Sequence, residues 1–195
     1  MSKKIILLAG PTASGKSKLA IQLAKKLNGQ IINADSMQIY KEFTILSSRP
    51  DNKETRKAKH HLYGVISVKK HFSAGNWLKL ANSKINLCFK LKKVPIIVGG
   101  TGLYFNTITK GISKIPSIDT QTRNKVRNLF KRLGYKEFYK KLLILDPKVK
   151  NKILPSDSQR SQRAYEVILK TKKSLFDWIA DTKSDFMNFE ISKIY

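Results

Sequence analysis

The stretch Lys4-Ile5-Ile6-Leu7-Leu8-Ala9-Gly10-Pro11-Thr12-Ala13-Ser14-Gly15-Lys16-Ser17 joins a short apolar run to a glycine-rich loop. Such an apolar run is typical of a buried strand in a parallel sheet. From Gly15 onward the pattern predicts a helix with one leucine stripe and small residues beside it: Leu19, Leu23, Leu27, Ala20 and Ala24. The loop fits the pattern G-x-x-x-x-G-K-[ST] in the strand-to-helix position that this motif requires.

A loop of this kind binds phosphate groups. Its backbone N–H groups point inward around phosphate oxygens, and the following helix adds the positive end of its dipole. Lys16 supplies a mobile positive charge, and the Ser17 hydroxyl is placed to bind Mg²⁺. The predicted phosphate or diphosphate site comprises Gly10, Pro11, Thr12, Ala13, Ser14, Gly15, Lys16 and Ser17. The motif does not specify which polyphosphate or diphosphate binds.

Further strands and helices alternate along the first half of the chain. Asn28-Gly29 ends the first predicted helix, residues 30–34 form a second apolar strand, and residues 94–98 form another. Between them, Ser73 is a predicted N-cap of a helix that buries Trp77, Ala81, Ile85 and Cys88. Strands separated by helices predict the α/β class, here a P-loop NTPase-like parallel sheet flanked by helices.

The composition changes after Gly111, where short basic helices follow one another. Asp119 and Asp157 are predicted helix caps in this part. We therefore expect a P-loop α/β core over residues 1–115 and a basic helical, RNA-contacting insertion over 116–188. Residues 189–195 alternate like the start of a strand that returns to the core and whose continuation is missing.

The net charge is strongly positive. Lys and Arg number 39 against 13 Asp and Glu, which leaves +26 and a pI of about 10.2. Such a surface attracts polyanions, above all nucleic acid, through phosphate contacts and counterion release. Because most of these cations are lysines, a lysine-rich composition alone is the competing explanation.

Several other classes of protein and site are disfavoured. No apolar run is long enough to span a membrane, and Met1-Ser2-Lys3-Lys4-Ile5 does not resemble a signal peptide, so we expect a cytosolic protein without membrane contact. The single cysteine, Cys88, falls in an apolar helical pattern and is interpreted as a packing residue. Adjacent His60 and His61 cannot easily face one metal ion, which favours a structural or substrate-side role.

A motor or other enzyme that is driven by hydrolysis of a nucleoside triphosphate is also disfavoured. Motors and NTPases usually carry an acidic residue after an apolar strand, but the strand at 94–98 runs into Gly99-Gly100-Thr101. The available carboxylate is Asp35, just after the second strand. Because parallel strands open at one edge, Asp35 should face the phosphate loop, where it can take a proton from an acceptor nucleophile. The competing interpretation is a turn residue or cap ahead of Ser36.

Three segments resemble the tRNA dimethylallyltransferase (isopentenyltransferase) family in this order: residues 10–17, Asp35-Ser36-Met37-Gln38-Ile39-Tyr40-Lys41 and Val98-Gly99-Gly100-Thr101-Gly102-Leu103-Tyr104. A fourth, Asp157-Ser158-Gln159-Arg160-Ser161-Gln162-Arg163-Ala164-Tyr165-Glu166-Val167, looks like the family's tRNA-contacting helix. Two departures stand out: Ser47-Ser48-Arg49-Pro50 replaces a Gly-Thr-Ala-Lys-Pro-like run, and the family continues beyond this chain, which implies a C-terminal truncation.

The resemblance implies transfer of a dimethylallyl group from dimethylallyl diphosphate, with Mg²⁺, to the exocyclic amine of the adenosine 3′ of the anticodon. It makes Asp35 the general base and places Thr101 and Thr12 beside the reacting atoms. It implies a monomer that binds the tRNA anticodon stem-loop through Asp35, Ser36, Met37, Gln38, Thr101, Arg123, Gln159, Arg160, Ser161, Gln162 and Arg163. Two alternatives stay open: a P-loop small-molecule kinase, and an inactive RNA-binding fragment.

Overall fold

The structure, a computed structural model, describes residues 3–195. Met1 and Ser2, part of the segment analysed above for a signal peptide, lie outside the described residues. The chain divides into two compact units. The first unit runs to Gly111 and resumes over Ser184–Tyr195, and the second covers Ile112–Lys183. These boundaries lie within five residues of the expected ones at 115/116 and 188/189.

A parallel sheet forms the centre of the first unit. Its strands are β1 (Lys4–Ala9), β2 (Gly29–Asn33), β3 (His60–His61), β4 (Val94–Gly99) and β5 (Glu190–Ile194). The order is β3-β2-β4-β1-β5, and every pairing is parallel. In the register, Ile6 lies opposite Ile96 on one side of β1 and opposite Ser192 on the other. The predicted parallel α/β sheet is confirmed.

Helices cover both faces of this sheet, which is why its central strands β1 and β4 are apolar almost throughout. The helices of this unit are α1 (Lys16–Lys26), α2 (Asn52–Lys57), which buries no residue, α3 (Ala74–Lys90) and α4 (Gly102–Thr109). Alternate residues of β1 point to opposite faces: Ile5 and Leu7 pack in the core that contains α3 and α4, whereas Ile6 and Leu8 pack in the core that contains α1.

The leucine stripe of α1 is not the face of the helix that is most deeply buried. The buried residues of α1 are Ala20, Ile21 and Ala24, whereas Leu19 and Leu27 are each 37% exposed. Small side chains on the inner face let the helix approach the sheet closely, and the leucines then lie at its flanks. The helix ends at Lys26, and Asn28, just beyond its C-cap Leu27, adopts a left-handed φ of 52°, in agreement with the predicted stop at Asn28-Gly29.

The prediction for α3 is confirmed. The Ser73 side chain accepts a hydrogen bond from the Asn76 backbone N–H at 3.2 Å, which caps the helix. Trp77, Ala81, Ile85 and Cys88 are all fully buried. Burial raises the pKa of the Cys88 thiol to about 11, so the thiol stays protonated near neutral pH and acts as a packing group.

The segment between β2 and α3 carries a helix that the apolar pattern did not reveal. Asp51 accepts from the Glu54 backbone N–H at 2.8 Å, while the Glu54 carboxylate accepts from the Asp51 N–H at 3.2 Å. This reciprocal capping box starts α2. The histidines of β3 are held by hydrogen bonds, His60 Nδ1 to the Ala58 carbonyl at 2.8 Å and His61 Nε2 to Gln30 Oε1 at 2.7 Å.

The second unit is helical. It contains α5 (Thr120–Leu145), a short 3-10 turn (Pro147–Val149), α6 (Ser158–Thr171) and α7 (Leu175–Ala180). The predicted caps are confirmed: Asp119 accepts from Thr122 N at 2.7 Å, and Asp157 accepts from Arg160 N at 3.0 Å. Gly134, at a φ of 69°, breaks α5 into two helical stretches.

Across residues 3–195, no helix combines the length and apolar character needed to cross a membrane.

Gly99 is the point where two strand ends come closest. A Cβ at Gly99 would overlap with the carbonyl group of Ala34 and lie 2.7 Å from the Asp35 nitrogen. The neighbouring backbone is tightly hydrogen-bonded, since Ala34 N donates to Val98 O at 2.7 Å and Thr101 N donates to Ala34 O at 3.1 Å. Only glycine therefore permits this approach between the end of β4 and the turn after β2.

We predict that Gly99→Ala lowers the free energy of unfolding by about 3 kcal/mol, because the added methyl group forces the two backbones apart. Urea denaturation of the purified protein measures the change. Gly102→Ala is the matched control, because a Cβ there meets no atom of the described residues within 4 Å. Equal stability of the two variants would contradict the close-approach argument.

Candidate active site

A cavity of about 360 Å³ lies at the carboxyl edge of the sheet in the first unit. It is bounded by the phosphate loop, the turn after β2, the end of β4 and the segment that contains α2 and β3. Its lining residues are Thr12, Ala13, Gly15, Lys16, Ser17, Lys18, Asp35, Gln38, Ser48, Glu54, Tyr63, Val98 and Gly99. The position agrees with the general rule that open parallel sheets bind ligands beyond the carboxyl ends of their strands.

The phosphate loop has the backbone conformation of an anion cradle. Gly15 caps α1 with a φ of 81°, and Ala13 adopts a φ of 63°, which is unusual for a residue with a side chain. The Lys16 ammonium folds back onto its own loop, where it donates to the Pro11 carbonyl and lies 3.5 Å from Ser14 Oγ. Phosphate oxygens would be stronger acceptors for this cation than these neutral groups.

The predicted loop residues divide into two groups in the structure. Thr12, Ala13, Gly15, Lys16 and Ser17 line the cavity. The other three hold the loop in place: Gly10 N donates to Gly99 O at 3.3 Å, the Pro11 carbonyl accepts from Lys16, and Ser14 N donates to Pro11 O at 3.4 Å. The loop therefore combines a ligand-facing surface with its own internal bracing.

Asp35 faces the same cavity and also forms a turn. Its Oδ1 accepts from Met37 N at 2.8 Å and from Gln38 N at 3.4 Å. Its Oδ2 lies 3.7 Å from the position that a Cβ of Gly100 would occupy, so the glycine leaves space beside this oxygen. The turn interpretation and the acid–base interpretation of Asp35 are thus compatible, because each uses a different carboxylate oxygen.

Thr101 supports this turn. Its Oγ1 accepts a hydrogen bond from Ser36 N at 2.8 Å, and its own N–H donates to Ala34 O. Thr101 does not belong to the described residues that line the cavity. The hydroxyl proton remains available to donate, since the bond from Ser36 uses only an oxygen lone pair. The geometry therefore gives Thr101 a bracing role beside Asp35.

Tyr63 and Glu54 are among the cavity residues that sequence reasoning missed. Burial raises the pKa of Tyr63 above its ordinary value, with smaller contributions from the negative charges of Asp35 and Glu54. The phenol is therefore neutral at physiological pH. The Asp-x-x-Glu capping box is a sequence signal for Glu54, whereas Tyr63 reaches the cavity because it follows β3, a strand that the apolar pattern did not reveal.

The loop that departs from the family pattern is held by its own side chains. Gln38 Nε2 donates to the Ser47 carbonyl at 2.8 Å. The Arg49 guanidinium donates to the Tyr40 carbonyl at 3.4 Å and to Thr44 Oγ1 at 3.1 Å, and it packs where a side chain on Gly64 would overlap with it.

Of the predicted RNA contacts in this region, Ser36 is half-buried, whereas Met37 is 49% exposed.

The other predicted RNA contacts lie in the second unit. The Arg160 side chain is 74% exposed and pairs with Asp157 at 3.4 Å, while Arg163 is 40% exposed and pairs with Glu166 at 3.5 Å. Gln159 is exposed, and Gln162 donates to the Ser158 carbonyl at 3.2 Å. Half-buried Arg123 has a buried Nε atom without a hydrogen-bond partner in the part of the chain that the structure describes.

Ser161 requires a correction. It is only 1% exposed, and its hydroxyl is buried on the inner face of α6 together with Ala164. Residues three apart on a helix share a face, so the spacing that exposes Arg160 and Arg163 turns Ser161 inward. In this structure Ser161 is therefore a packing residue and offers no surface to RNA.

Comparison with known proteins shows that the chain is similar to one family. A sequence model of the family described as IPP transferase matches residues 38–195. The chain is 54% identical to a tRNA dimethylallyltransferase of Pelagibacter ubique (strain HTCC1062), covering 98% of this chain and 61% of that protein. It is 44% identical to a tRNA dimethylallyltransferase of Rickettsia bellii (strain OSU 85-389), over 97% and 61% of the two chains. The chain thus spans about three fifths of the length of these relatives.

Solved structures agree with the sequence comparison. A eukaryotic dimethylallyltransferase acting on tRNA superposes with a TM-score of 0.84 at 30% identity, covering 98% of this chain and 47% of that one. The tRNA isopentenylpyrophosphate transferase of Bacillus halodurans gives a TM-score of 0.58 at 31% identity, covering 89% and 57%. The fold is therefore the P-loop NTPase-like fold of these enzymes.

We predict that Lys16→Ala weakens binding of inorganic diphosphate, measured by calorimetry with Mg²⁺ present, by roughly 10- to 100-fold, because charge-assisted hydrogen bonds to phosphate are lost. Lys25→Ala, in the last turn of the same helix, is the control and should bind with nearly unchanged affinity. An equal loss in both variants would mean that general charge, rather than the loop, attracts the anion.

Proposed function

The chain belongs to the IPP transferase family, and we propose that it transfers a dimethylallyl group from dimethylallyl diphosphate to the exocyclic amine of the adenosine 3′ of the anticodon in tRNA. The observation that carries this proposal is the shared cavity of the phosphate loop and Asp35. One wall supplies hydrogen-bond donors and positive charge for a diphosphate. The other supplies a carboxylate with one oxygen free of the turn.

The proposed reaction uses both the phosphate loop and the Asp35 carboxylate. The adenine amine nitrogen attacks the allylic carbon of the donor, the bond from that carbon to the diphosphate oxygen breaks, and inorganic diphosphate leaves. Asp35 Oδ2 accepts the proton that the amine loses. Lys16 and the loop N–H groups stabilise the negative charge that grows on the leaving group. Thr12, on the loop, and Thr101, beside the Asp35 turn, are the hydroxyl groups that we place next to the reacting atoms.

The donor atoms of this cavity fit Mg²⁺. Mg²⁺ prefers oxygen ligands and usually keeps several waters, with only one or two protein ligands and substrate phosphates completing its shell. The Ser17 hydroxyl lines the cavity, whereas residues 3–195 contain no group of three or more His, Cys, Asp or Glu that could cage a metal. We propose that Ser17 holds the ion, which would offset charge on the diphosphate.

The RNA partner is supported by charge and by exposed arginines. A net charge of +26 favours binding to a polyanion, and Arg160 and Arg163 present guanidinium groups at the surface of α6. A guanidinium fork suits phosphate oxygens better than a lysine does. The adenine must leave its stack for its amine to enter a cavity, so we propose that the base is flipped. The cytosol, where tRNA is modified, is the proposed location.

The first test is transfer itself. The protein is incubated with labelled dimethylallyl diphosphate, Mg²⁺ and an anticodon stem-loop, with ATP and small acceptors offered in parallel. We expect label on the adenine 3′ of the anticodon. Consumption of ATP with a small acceptor, and none of the prenyl donor, would instead support a small-molecule kinase. RNA binding without transfer in any reaction would support an inactive RNA-binding fragment.

We predict that Asp35→Asn lowers the transfer rate at least 100-fold, since an amide cannot accept the proton, and general-base catalysis typically contributes about 10²- to 10⁴-fold. Binding of the stem-loop, measured by fluorescence anisotropy, should stay within about twofold. Asp185→Asn, an exposed carboxylate of the same unit, is the control and should keep full activity. Transfer at the normal rate in Asp35→Asn would rule out Asp35 as the base.

We predict that Arg160→Ala weakens stem-loop binding and makes its dependence on salt shallower, because one phosphate contact contributes about one unit to the slope of log K against log salt. Arg160→Lys keeps the charge and should keep the slope. A slope that is unchanged in Arg160→Ala would remove this residue from the phosphate contacts.

A further inference from the structure

Asn33 is a fully buried polar residue that none of the steps above uses. It ends β2, two residues before Asp35, and its exposed fraction is 0%. A buried amide without partners would be costly, so its hydrogen bonds indicate what it is there to hold.

The amide of Asn33 brackets the backbone of Asp35. Asp35 N donates to Asn33 Oδ1 at 2.9 Å, and Asn33 Nδ2 donates to the Asp35 carbonyl at 3.0 Å. Because an N–H can donate only to the amide oxygen, these bonds fix which way the amide group points. Both backbone polar groups of Asp35 are thus held by one side chain.

The same amide also reaches the neighbouring segment that follows β3. Asn33 Nδ2 also donates to the Leu62 carbonyl at 3.1 Å. Leu62 adopts a φ of 65°, a strained conformation for a residue with a bulky side chain, and it precedes the cavity residue Tyr63. Asn33 therefore ties Asp35 and the segment that carries Tyr63 to one another.

The backbone of Asn33 is itself held by a core residue. Trp77 Nε1 donates to the Asn33 carbonyl at 2.8 Å, and the Trp77 ring stacks on Tyr104 with centroids 4.4 Å apart. Both rings belong to the larger core of the first unit. The Asp35 turn is therefore connected through Asn33 to the buried core between the sheet and helices α3 and α4.

We propose that Asn33 is a positioning residue: its amide fixes the turn so that the free oxygen of Asp35 points at the acceptor amine. The inference rests on the proposed function, because it gives Asn33 an effect only through Asp35. Misplacement of a base by about an ångström is enough to reduce a rate by roughly 100-fold.

The test is a double-mutant cycle on transfer to the anticodon stem-loop. Asn33→Ala should lower kcat roughly 10- to 100-fold and leave KM for both substrates within about threefold. In the Asp35→Asn background, the same substitution should cause no further loss, because there is no base left to position. Asn33→Ser, which can accept from Asp35 N but cannot bridge to both carbonyls, should give an intermediate kcat.

Two controls separate positioning from folding. Asn82→Ala removes another side-chain hydrogen bond of the same unit, from Asn82 to Asp185 at 3.2 Å, and should leave kcat unchanged. Binding of inorganic diphosphate reports whether the loop is intact in each variant. If Asn33→Ala loses diphosphate binding, Asn33→Ser carries the test, with a decrease in kcat alone as the expected result.

Three other results would overturn, respectively, the role of Asn33, the role of Asp35 and the proposed function. A normal kcat in Asn33→Ala, or a further 10-fold loss on top of Asp35→Asn, would overturn the positioning role alone. Normal transfer by Asp35→Asn would overturn the base and, with it, the reason for positioning. An absence of transfer by the unaltered protein would overturn the proposed function, and this proposal with it.

Discussion

The close approach of Gly99 to the Ala34 backbone is the constraint on which the candidate site depends. It brings the end of β4 against the turn after β2, and the hydrogen bond from Gly10 N to Gly99 O attaches the start of the phosphate loop to the same point. Three strand ends therefore meet with little freedom to move apart. A cavity built at such a junction inherits its geometry from the sheet rather than from flexible loops.

The chemical division of the cavity follows from that junction. The loop and the start of α1 bring N–H groups, the helix dipole and Lys16 to one wall, which suits a diphosphate. The turn after β2 brings the Asp35 carboxylate to the other wall, with Tyr63 and Glu54 nearby. In the proposed reaction, the first wall binds the leaving diphosphate and the second accepts the proton.

Local sequence patterns were sufficient to predict strands β1, β2, β4 and β5, the phosphate loop and three helix caps. Ser73, Asp119 and Asp157 each cap a helix as expected, because a side-chain oxygen at an N-cap acts on N–H groups only two or three residues away. The apolar pattern of α1 did not show which face of the helix is buried. Which of its faces meets the sheet depends on packing against residues distant in sequence, such as Ile31 and Ile96.

Parts of the site could not be predicted either, because they depend on contacts between residues that are distant in sequence. The bracket that Asn33 forms around Asp35 and Leu62 joins β2 to a segment almost thirty residues further along the chain. Glu54 reaches the cavity through α2, whose capping box was present in the sequence but lay in a segment without apolar periodicity. Ser161 shows the reverse case, since the motif that contains it was recognised but only the helix face reveals that it is buried.

In the proposed reaction, one cavity holds the diphosphate and the acceptor amine on opposite sides of the reacting carbon. The decisive experiment is a crystal structure of the protein with an unreactive donor analogue and an anticodon stem-loop. We expect the diphosphate on the loop and the adenine amine within about 3 Å of Asp35 Oδ2, a normal hydrogen-bond distance. An amine hydrogen-bonded to another group, with Asp35 remote from it, would rule out Asp35 as the base.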